Sequence, residues 1–342
     1  MSKAAQLDRD AVRIGDLVIG DGLPVVVIGG RDARWLRLRG DGGPSTGDIA
    51  GPVKDTVKDT VKDAVKDTAA GSSPDTAAAG TAGARRAGPL LMEPASADDL
   101  PAVARHADAV VVGAGWACDP GLVRAAARLG LPVVLQRGVV RGGRVATLEE
   151  WLAAVDDCVA EGNEAVVLCE SGGRGEPEDA APDLGLMRAA RDRSGRPVLA
   201  GLGGDGALAG AAVAAGADGL LVGPAASEGT LAAAHEAATV MAALVRPENP
   251  GTLDAARAAI DRVDAALATL LERRVALAGR IQRLKPVGGF QGRDMERERR
   301  LVAAMARRAP RLGAGLLAPI MNAVIEAGLR LSEERRDGEE RR

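Results

Sequence analysis

The chain has 342 residues, 46% of them hydrophobic, with one Phe, three Trp and no Tyr, so its cores must be filled by Ala, Val and Leu; the length suits about two domains. Lys and Arg number 44 against 47 for Asp and Glu, and a formal charge of -3 gives no general electrostatic reason to expect nucleic acid or a membrane as partner. Three scattered cysteines (Cys118, Cys158, Cys169) suggest neither a disulfide framework nor a zinc site. With no apolar leader in residues 1–16 and no uninterrupted apolar run of about 18 residues, the expected compartment is the reducing cytoplasm.

In chain order, VRIGDLVIGDG (12–22) reads as a small hairpin with an Asp-Gly turn signal. LPVVVIGG (23–30) is a continuous apolar run bounded by Gly, as expected of a strand buried on both faces. Short WLRLR (35–39) comes next, and further runs recur at 89–92, 108–113, 131–136, 164–169, 196–201 and 218–223, giving eight candidate strands. Ala-rich helical stretches lie between them near 97–106, 119–129, 148–161, 183–194 and 206–215. This alternation is met most economically by a parallel (β/α) barrel over residues 1–245, interrupted by a low-complexity insertion at about 40–88. Within the insertion the tetrapeptide repeat VKDTVKDTVKDAVKDT (53–68) drifts about 40° around a helix per repeat, so at best it forms a weak surface helix. No chemistry is assigned to it.

The order of these elements, together with LPVVLQRG and ATLEEWLAAVDDCVAEGNEAVVLCESGGRG (131–175), resembles the 3-deoxy-7-phosphoheptulonate (DAHP) synthases related to KDO-8-phosphate synthase. The resemblance implies a barrel that condenses phosphoenolpyruvate with an aldose phosphate, using a divalent metal held by Cys, His, Glu and Asp. Here those positions are emptied. Gly29, Gly30 and Arg31 stand where the family has its ligand Cys, and Gln136 where it has a Lys before Arg-Gly. Ala200, Gly201, Leu202 and Gly203 replace its Asp-Pro-Ser-His run, and Gly223 its ligand Glu. Arg137, Glu170 and Arg174 survive as at most a weak anion site, so a degenerate barrel with no metal and no remaining catalysis is the expectation.

VRPENPG punctuates the chain, making 246–251 a linker, and Thr252 offers an N-cap for a helix beginning at Leu253. Apolar residues Leu253, Ala256, Ile260, Val263, Leu267, Leu270, Leu277, Ile281 and Leu284 recur at three- and four-residue steps, so 253–285 reads as one amphipathic helix. The seam position after Leu270 is Arg274, a cation that needs an anionic partner, either a substrate or a carboxylate of a neighbouring helix. Lys285, eleven residues on and about three full turns away, projects from nearly the same face. A second helix begins near Asp294, a third runs from about 313 to 336, and a charged tail closes the chain at 337–342. Three helices cannot bury such a stripe alone and should dimerise.

Residues 252–333 resemble the all-helical chorismate mutases, and the match extends to active-site positions. The resemblance assigns substrate binding to Arg257, Arg274, Lys285, Asp294, Arg297 and Glu298, and catalysis to Lys285, Arg274, Glu298 and Ser332. Arg257 and Arg274 are seventeen residues apart, about 260° around the axis, so one helix cannot aim both at one pocket; this agrees with the family's intertwined homodimer, in which the partner chain donates the first Arg. Chorismate is a dicarboxylate whose rearrangement to prephenate needs no cofactor, metal or nucleophile. Arg257 and Arg274 would clamp its carboxylates, ordered by Arg297, and Lys285 would donate to the ether oxygen. Glu298, with the main chain near Asp294, would accept from the ring hydroxyl. The chain departs from the family in carrying Gly328 and Ser332 where the third helix usually has Ser and Gln. Three functions are compatible with these residues: a chorismate mutase with a silent barrel; a mutase for the 4-amino-4-deoxy analogue; or a non-catalytic partner of another enzyme of the same pathway.

Overall fold

The computed structural model describes residues 11–30, 33–38, 88–140, 143–172, 181–223, 226–246, 248, 250–285 and 289–340. All but the last residue of the insertion at 40–88, with its tetrapeptide repeat, and Arg31, Arg174 and the last two residues of the tail lie outside these. The chain divides into two compact units, 1–259 and 260–342.

The first unit opens with a hairpin of β1 (Val12–Ile14) and β2 (Leu17–Ile19). Its turn falls at Gly15 and Asp16 rather than at the Asp-Gly pair of the sequence, because Gly15 supplies the positive φ (58°) that a tight hairpin turn requires. Eight strands then form one all-parallel sheet: β3 (Val26–Ile28), β4 (Arg34–Arg37), β5 (Leu90–Glu93), β6 (Ala109–Val112), β7 (Val133–Gln136), β8 (Val166–Glu170), β9 (Val198–Gly203) and β10 (Gly219–Val222). Their order, β3-β10-β9-β8-β7-β6-β5-β4, runs around a barrel. Between its two ends the backbone N–H groups of Gly29 and Gly30 donate to the Ala33 carbonyl at 2.8 and 3.2 Å.

Helices α1 (Leu100–His106), α2 (Pro120–Ala127), α3 (Leu148–Ala160), α4 (Leu184–Ser194) and α5 (Ala209–Ala214) connect β5 through β10. Each start is set locally: Asp119 and Asp183 cap α2 and α4, and Thr147 with Glu150 forms a reciprocal capping box on α3. After β10 comes α6 (Glu228–Glu236), capped by Ser227, and α7 (Ala242–Val245). One crossover has no helix. Only residues 29–33 join β3 to β4, far short of the dozen or so that a parallel crossover usually takes. Gly29 makes this tight path feasible, with φ 117° and a virtual Cβ only 2.2 Å from the Val222 carbonyl oxygen. On the outer surface a cleft of about 380 Å³, lined by Leu36, Leu90, Ser227 and Leu231, opens beside this connection.

Two apolar layers arise from strand alternation. Leu91, Ala109, Val111, Val134, Val167, Cys169, Leu199 and Leu221 fill the barrel with Trp35. The hairpin adds Val12, Ile14 and Ile19, and with Gly15 packed on Pro89 it stoppers the end where the strands begin. Met92, Val110, Val133, Leu135, Val166 and Leu168 face outward onto the helices, where Trp151 and Met187 are fully buried.

The second unit is helical. Helix α8 (Leu253–Leu284) enters it from the first, with the Thr252 hydroxyl accepting from Ala255 N–H; α9 is Met295–Arg308 and α10 is Gly313–Glu340. Ile260, Val263, Leu267, Leu270, Leu277, Ile281 and Leu284 of α8 remain 41–84% exposed, as do Leu316, Ile320 and Leu331 of α10. Among the described residues one helix, Gly313–Arg335, is long and apolar enough to cross a membrane by length and composition. Asn322 and Glu326 on it are engaged in a polar network with Arg293 that lipid would penalise.

Candidate functional site

The polar centre of the second unit lies where α8 ends and α9 begins. Arg274 is half-buried and makes no hydrogen bond or ion pair among the described residues. Burial, and then the Arg297 charge, push its pKa below the ordinary guanidinium value, while Glu298 acts in the opposite direction. Lys285, just past the last turn of α8, donates from Nζ to the Gly292 carbonyl at 2.6 Å. The Asp294 carboxylate caps α9 by accepting from Arg297 N–H at 2.9 Å, and that bond holds its pKa below the usual carboxylate value. Glu298 N–H donates to the Asp294 carbonyl at 3.0 Å, in the same first turn. Arg274, Arg297 and Glu298 are therefore brought together, with Lys285 and Asp294 flanking them through the 289–294 segment.

Two predicted residues stand apart. Arg257 is exposed and pairs only loosely with Asp254, at 3.5 Å. Ser332 donates from Oγ to the Gly328 carbonyl of its own helix at 2.9 Å, a local back-bond that occupies its hydroxyl.

One residue escaped sequence reasoning. Arg293, immediately before the α9 cap, forks onto Glu298, with Nε 3.1 Å from Oε1 and Nη2 2.6 Å from Oε2. Nη2 also donates to Asn322 Oδ1 at 2.8 Å, and Nη1 lies 3.5 Å from Glu326 Oε1. Asn322 Nδ2 donates to the same Glu326 oxygen at 2.9 Å. The Glu298 hydrogen bond raises the Arg293 pKa above its ordinary value. A basic residue in a Gly-rich turn was the available signal, but its partners are 29 and 33 residues away on α10.

The barrel mouth, where active sites of such folds lie, contrasts with this cluster. Arg137 and Glu170 form a buried ion pair, with Nη2 2.9 Å from Oε1 and Nε 2.5 Å from Oε2. Glu170 Oε1 also accepts from Gly172 N–H at 2.8 Å, and Arg137 donates to the Ala146 carbonyl at 3.4 Å. Buried Gln136 accepts from Ala114 N–H, and its Nε2 has no partner among the described residues. Burial raises the Glu93 pKa, and Arg37, 2.9 Å away, opposes that rise. Gly201, Gly203 and Gly223 offer no side-chain donor atoms, and among the described residues no three His, Cys, Asp or Glu side chains converge. The described residues at this mouth do not fit a divalent metal.

Comparison with known proteins gives two separate matches. Residues 256–333 match the family model Chorismate mutase type II, and residues 49–199 match the DAHP synthetase I family. A phospho-2-dehydro-3-deoxyheptonate aldolase of Thermotoga maritima is 31% identical over 142 residues, covering 39% of this chain. The chain spans about 40% of that relative's length. Two solved Thermotoga maritima structures are also similar. A truncated 3-deoxy-D-arabino-heptulosonate 7-phosphate synthase has 24% identity and a TM-score of 0.44 over 62% of this chain and 79% of its own. A phospho-2-dehydro-3-deoxyheptonate aldolase has 23% and 0.46 over 63% and 64%. Two family models thus match separate parts of the chain, DAHP synthetase I in the N-terminal part and Chorismate mutase type II in the C-terminal part, each over less than half of its length.

Proposed function

We propose that the protein is a chorismate mutase, converting chorismate to prephenate, and that its barrel no longer condenses phosphoenolpyruvate with a sugar phosphate. The observation that carries this reading is Arg274: a half-buried cation beside Arg297 without an anionic partner among the described residues, in a segment matching the mutase family. Arg274, Arg297 and Lys285 have no ion pair among the described residues, so a dicarboxylate can neutralise them without breaking an existing one.

In this reading Arg274 grips one substrate carboxylate through paired N–H donors, and Arg297 orders the pair. Lys285 turns its Nζ from the Gly292 carbonyl to the ether oxygen, where negative charge grows as the C–O bond breaks. Glu298 accepts from the ring hydroxyl, leaving the molecule held in its reactive conformer. No proton moves, and no bond to the protein forms. Dimerisation covers the exposed stripes of α8 and α10 and brings Arg257 of the second chain to the site. In the barrel, Arg137 is already satisfied by Glu170, and the positions of the family's metal ligands carry no donor side chains.

The test is loss of chorismate absorbance with the purified full-length protein, with Arg274→Ala as the control that must abolish turnover. Wild-type protein that is folded but inert towards chorismate and its 4-amino analogue defeats the mutase assignment. Phosphoenolpyruvate consumption with erythrose 4-phosphate and Mn²⁺ tests the barrel, where appreciable turnover defeats the second part.

A further inference from the structure

We infer that Arg293 sets the substrate preference of this mutase by neutralising Glu298, so that the site accepts a ring hydroxyl and disfavours an ammonium at the same position. This inference rests on the mutase reading and deepens it, since the two substrates differ only in that group.

Glu298 is the acidic side chain in the cluster that can meet the polar ring substituent. If its charge were free, a substrate ammonium would be the better partner, because a cation and an isolated carboxylate attract more strongly than a hydroxyl and a carboxylate do. The charge is not free. Both oxygens of Glu298 are engaged by the Arg293 fork, at 3.1 and 2.6 Å, and the two side chains are only 16% and 15% exposed, so solvent screens the pair poorly. A carboxylate oxygen holding one N–H still has a lone pair for a neutral O–H. An ammonium in that place meets a pair of zero net charge, with the cations Arg274, Arg297 and Lys285 nearby and forming no ion pair among the described residues.

The arrangement is also built to hold Arg293 in place. Asn322 accepts from its Nη2 and donates to Glu326, whose oxygen faces Nη1, so α10 fixes the guanidinium from the side away from Glu298. This separates it from Arg297 and Arg274, which lie within electrostatic reach of each other yet lack any such brace among the described residues. Specificity of this kind comes from disfavouring the competitor as much as from binding the substrate.

The experiment compares kcat/KM for chorismate and for 4-amino-4-deoxychorismate in the full-length wild type, Arg293→Gln and Arg293→Lys. The wild type is expected to prefer chorismate by about tenfold or more, Arg293→Gln to move the ratio towards the amino compound by about tenfold, and Arg293→Lys to keep the wild-type ratio. If Arg293→Gln does not fold, as judged by circular dichroism, Asn322→Asp is read in its place. That variant draws the guanidinium away from Glu298 and should move the ratio in the same direction by about threefold. A residue that only braces the fold would lower both kcat/KM values together. An unchanged ratio in the folded variants, or a wild type that prefers the amino compound, overturns the inference and leaves mutase activity standing. A wild type that turns over neither compound overturns the mutase reading, and the inference with it.

Discussion

Replacing Arg274 by Met separates a ligand-binding arginine from a structural one. The side chain is half-buried, its charge is opposed by burial and by Arg297, and Glu298 acts in the opposite direction without forming a hydrogen bond or ion pair with it among the described residues. Met keeps the apolar stem that packs along α8 and removes only the charged head. Two charge-assisted hydrogen bonds to a substrate carboxylate, at about 1.5–3 kcal/mol each, imply a loss of about 3–6 kcal/mol of transition-state stabilisation. That corresponds to between about 10² and 10⁴ in kcat/KM at 1.36 kcal/mol per decade. Folding stability should move the other way. An uncompensated cation near another cation does not support the fold, so the melting temperature of the helical unit should hold or rise by up to about 4 °C, equivalent to roughly 1 kcal/mol. The two readouts are initial rates of chorismate loss and thermal melting followed by circular dichroism. A fall in Tm that tracks the fall in activity would show that Arg274 is a structural ion-pair member and refute the reasoning.

Four further outcomes are expected. Arg257→Ala and Arg274→Ala chains, each inactive alone, should recover about a quarter of the wild-type sites when co-refolded, because half of random dimers are mixed and each mixed dimer keeps one intact site; no recovery would contradict the shared site. Ser332→Gln should raise kcat by about tenfold or more by restoring a donor that reaches beyond the Gly328 carbonyl. Glu170→Gln strands buried Arg137 and should cost about 3–5 kcal/mol in denaturant unfolding of the barrel with no loss of mutase rate, whereas Arg137→Met with Glu170→Leu should be nearly neutral. Cys118, half-buried, should be the only thiol titrated in the native protein, with Cys158 and Cys169 appearing on unfolding. Burial pushes the Cys158 thiol up to about 11 and raises Cys169 as well. The unfolded chain then loses these protons first, so their contribution is complete below the ordinary thiol value of 9.0 and is lost as pH rises above it.

The strands were legible because a parallel sheet buried on both faces demands continuous apolar runs, and VVLQ and VVLCE are such runs bounded by loops. Helix starts were legible where a capping side chain lies within three residues of its target, as at Thr252, whose hydroxyl accepts from Ala255 N–H. What spacing could not give is partnership across the chain. Arg137 and Glu170 read as remnants of an anion site, yet they lie 33 residues apart and satisfy each other. Arg293 received no role from the sequence because nothing in its neighbourhood announces Asn322 and Glu326. The five-residue link between β3 and β4 was hidden for another reason. Two short apolar runs close together look the same whether or not a helix is missing between them, and only the positive φ of Gly29 and its closeness to Val222 explain how the chain makes the step.

The two units treat their arginines in opposite ways, and that contrast bears on which of them does chemistry. A cation removed from water must be met by an anion or remain a standing cost. In the barrel Arg137 is met, with Glu170 fully buried against it and the backbone N–H groups of Gly172 and Asp183 donating to Glu170 Oε1. Displacing that pair with an anion would leave Glu170 as an unpaired buried charge, a cost that any anionic ligand at the mouth would have to offset. In the helical unit Arg293 is met in the same fashion, by Glu298 and Glu326, and it too reads as fixed apparatus. Arg274 is not met among the described residues, although it sits on an element where a Leu or Ala would continue the apolar seam at no electrostatic cost. The arrangement makes physical sense if the missing anion is supplied from solution, and the side chains around it fit one carrying two carboxylates and a neutral donor.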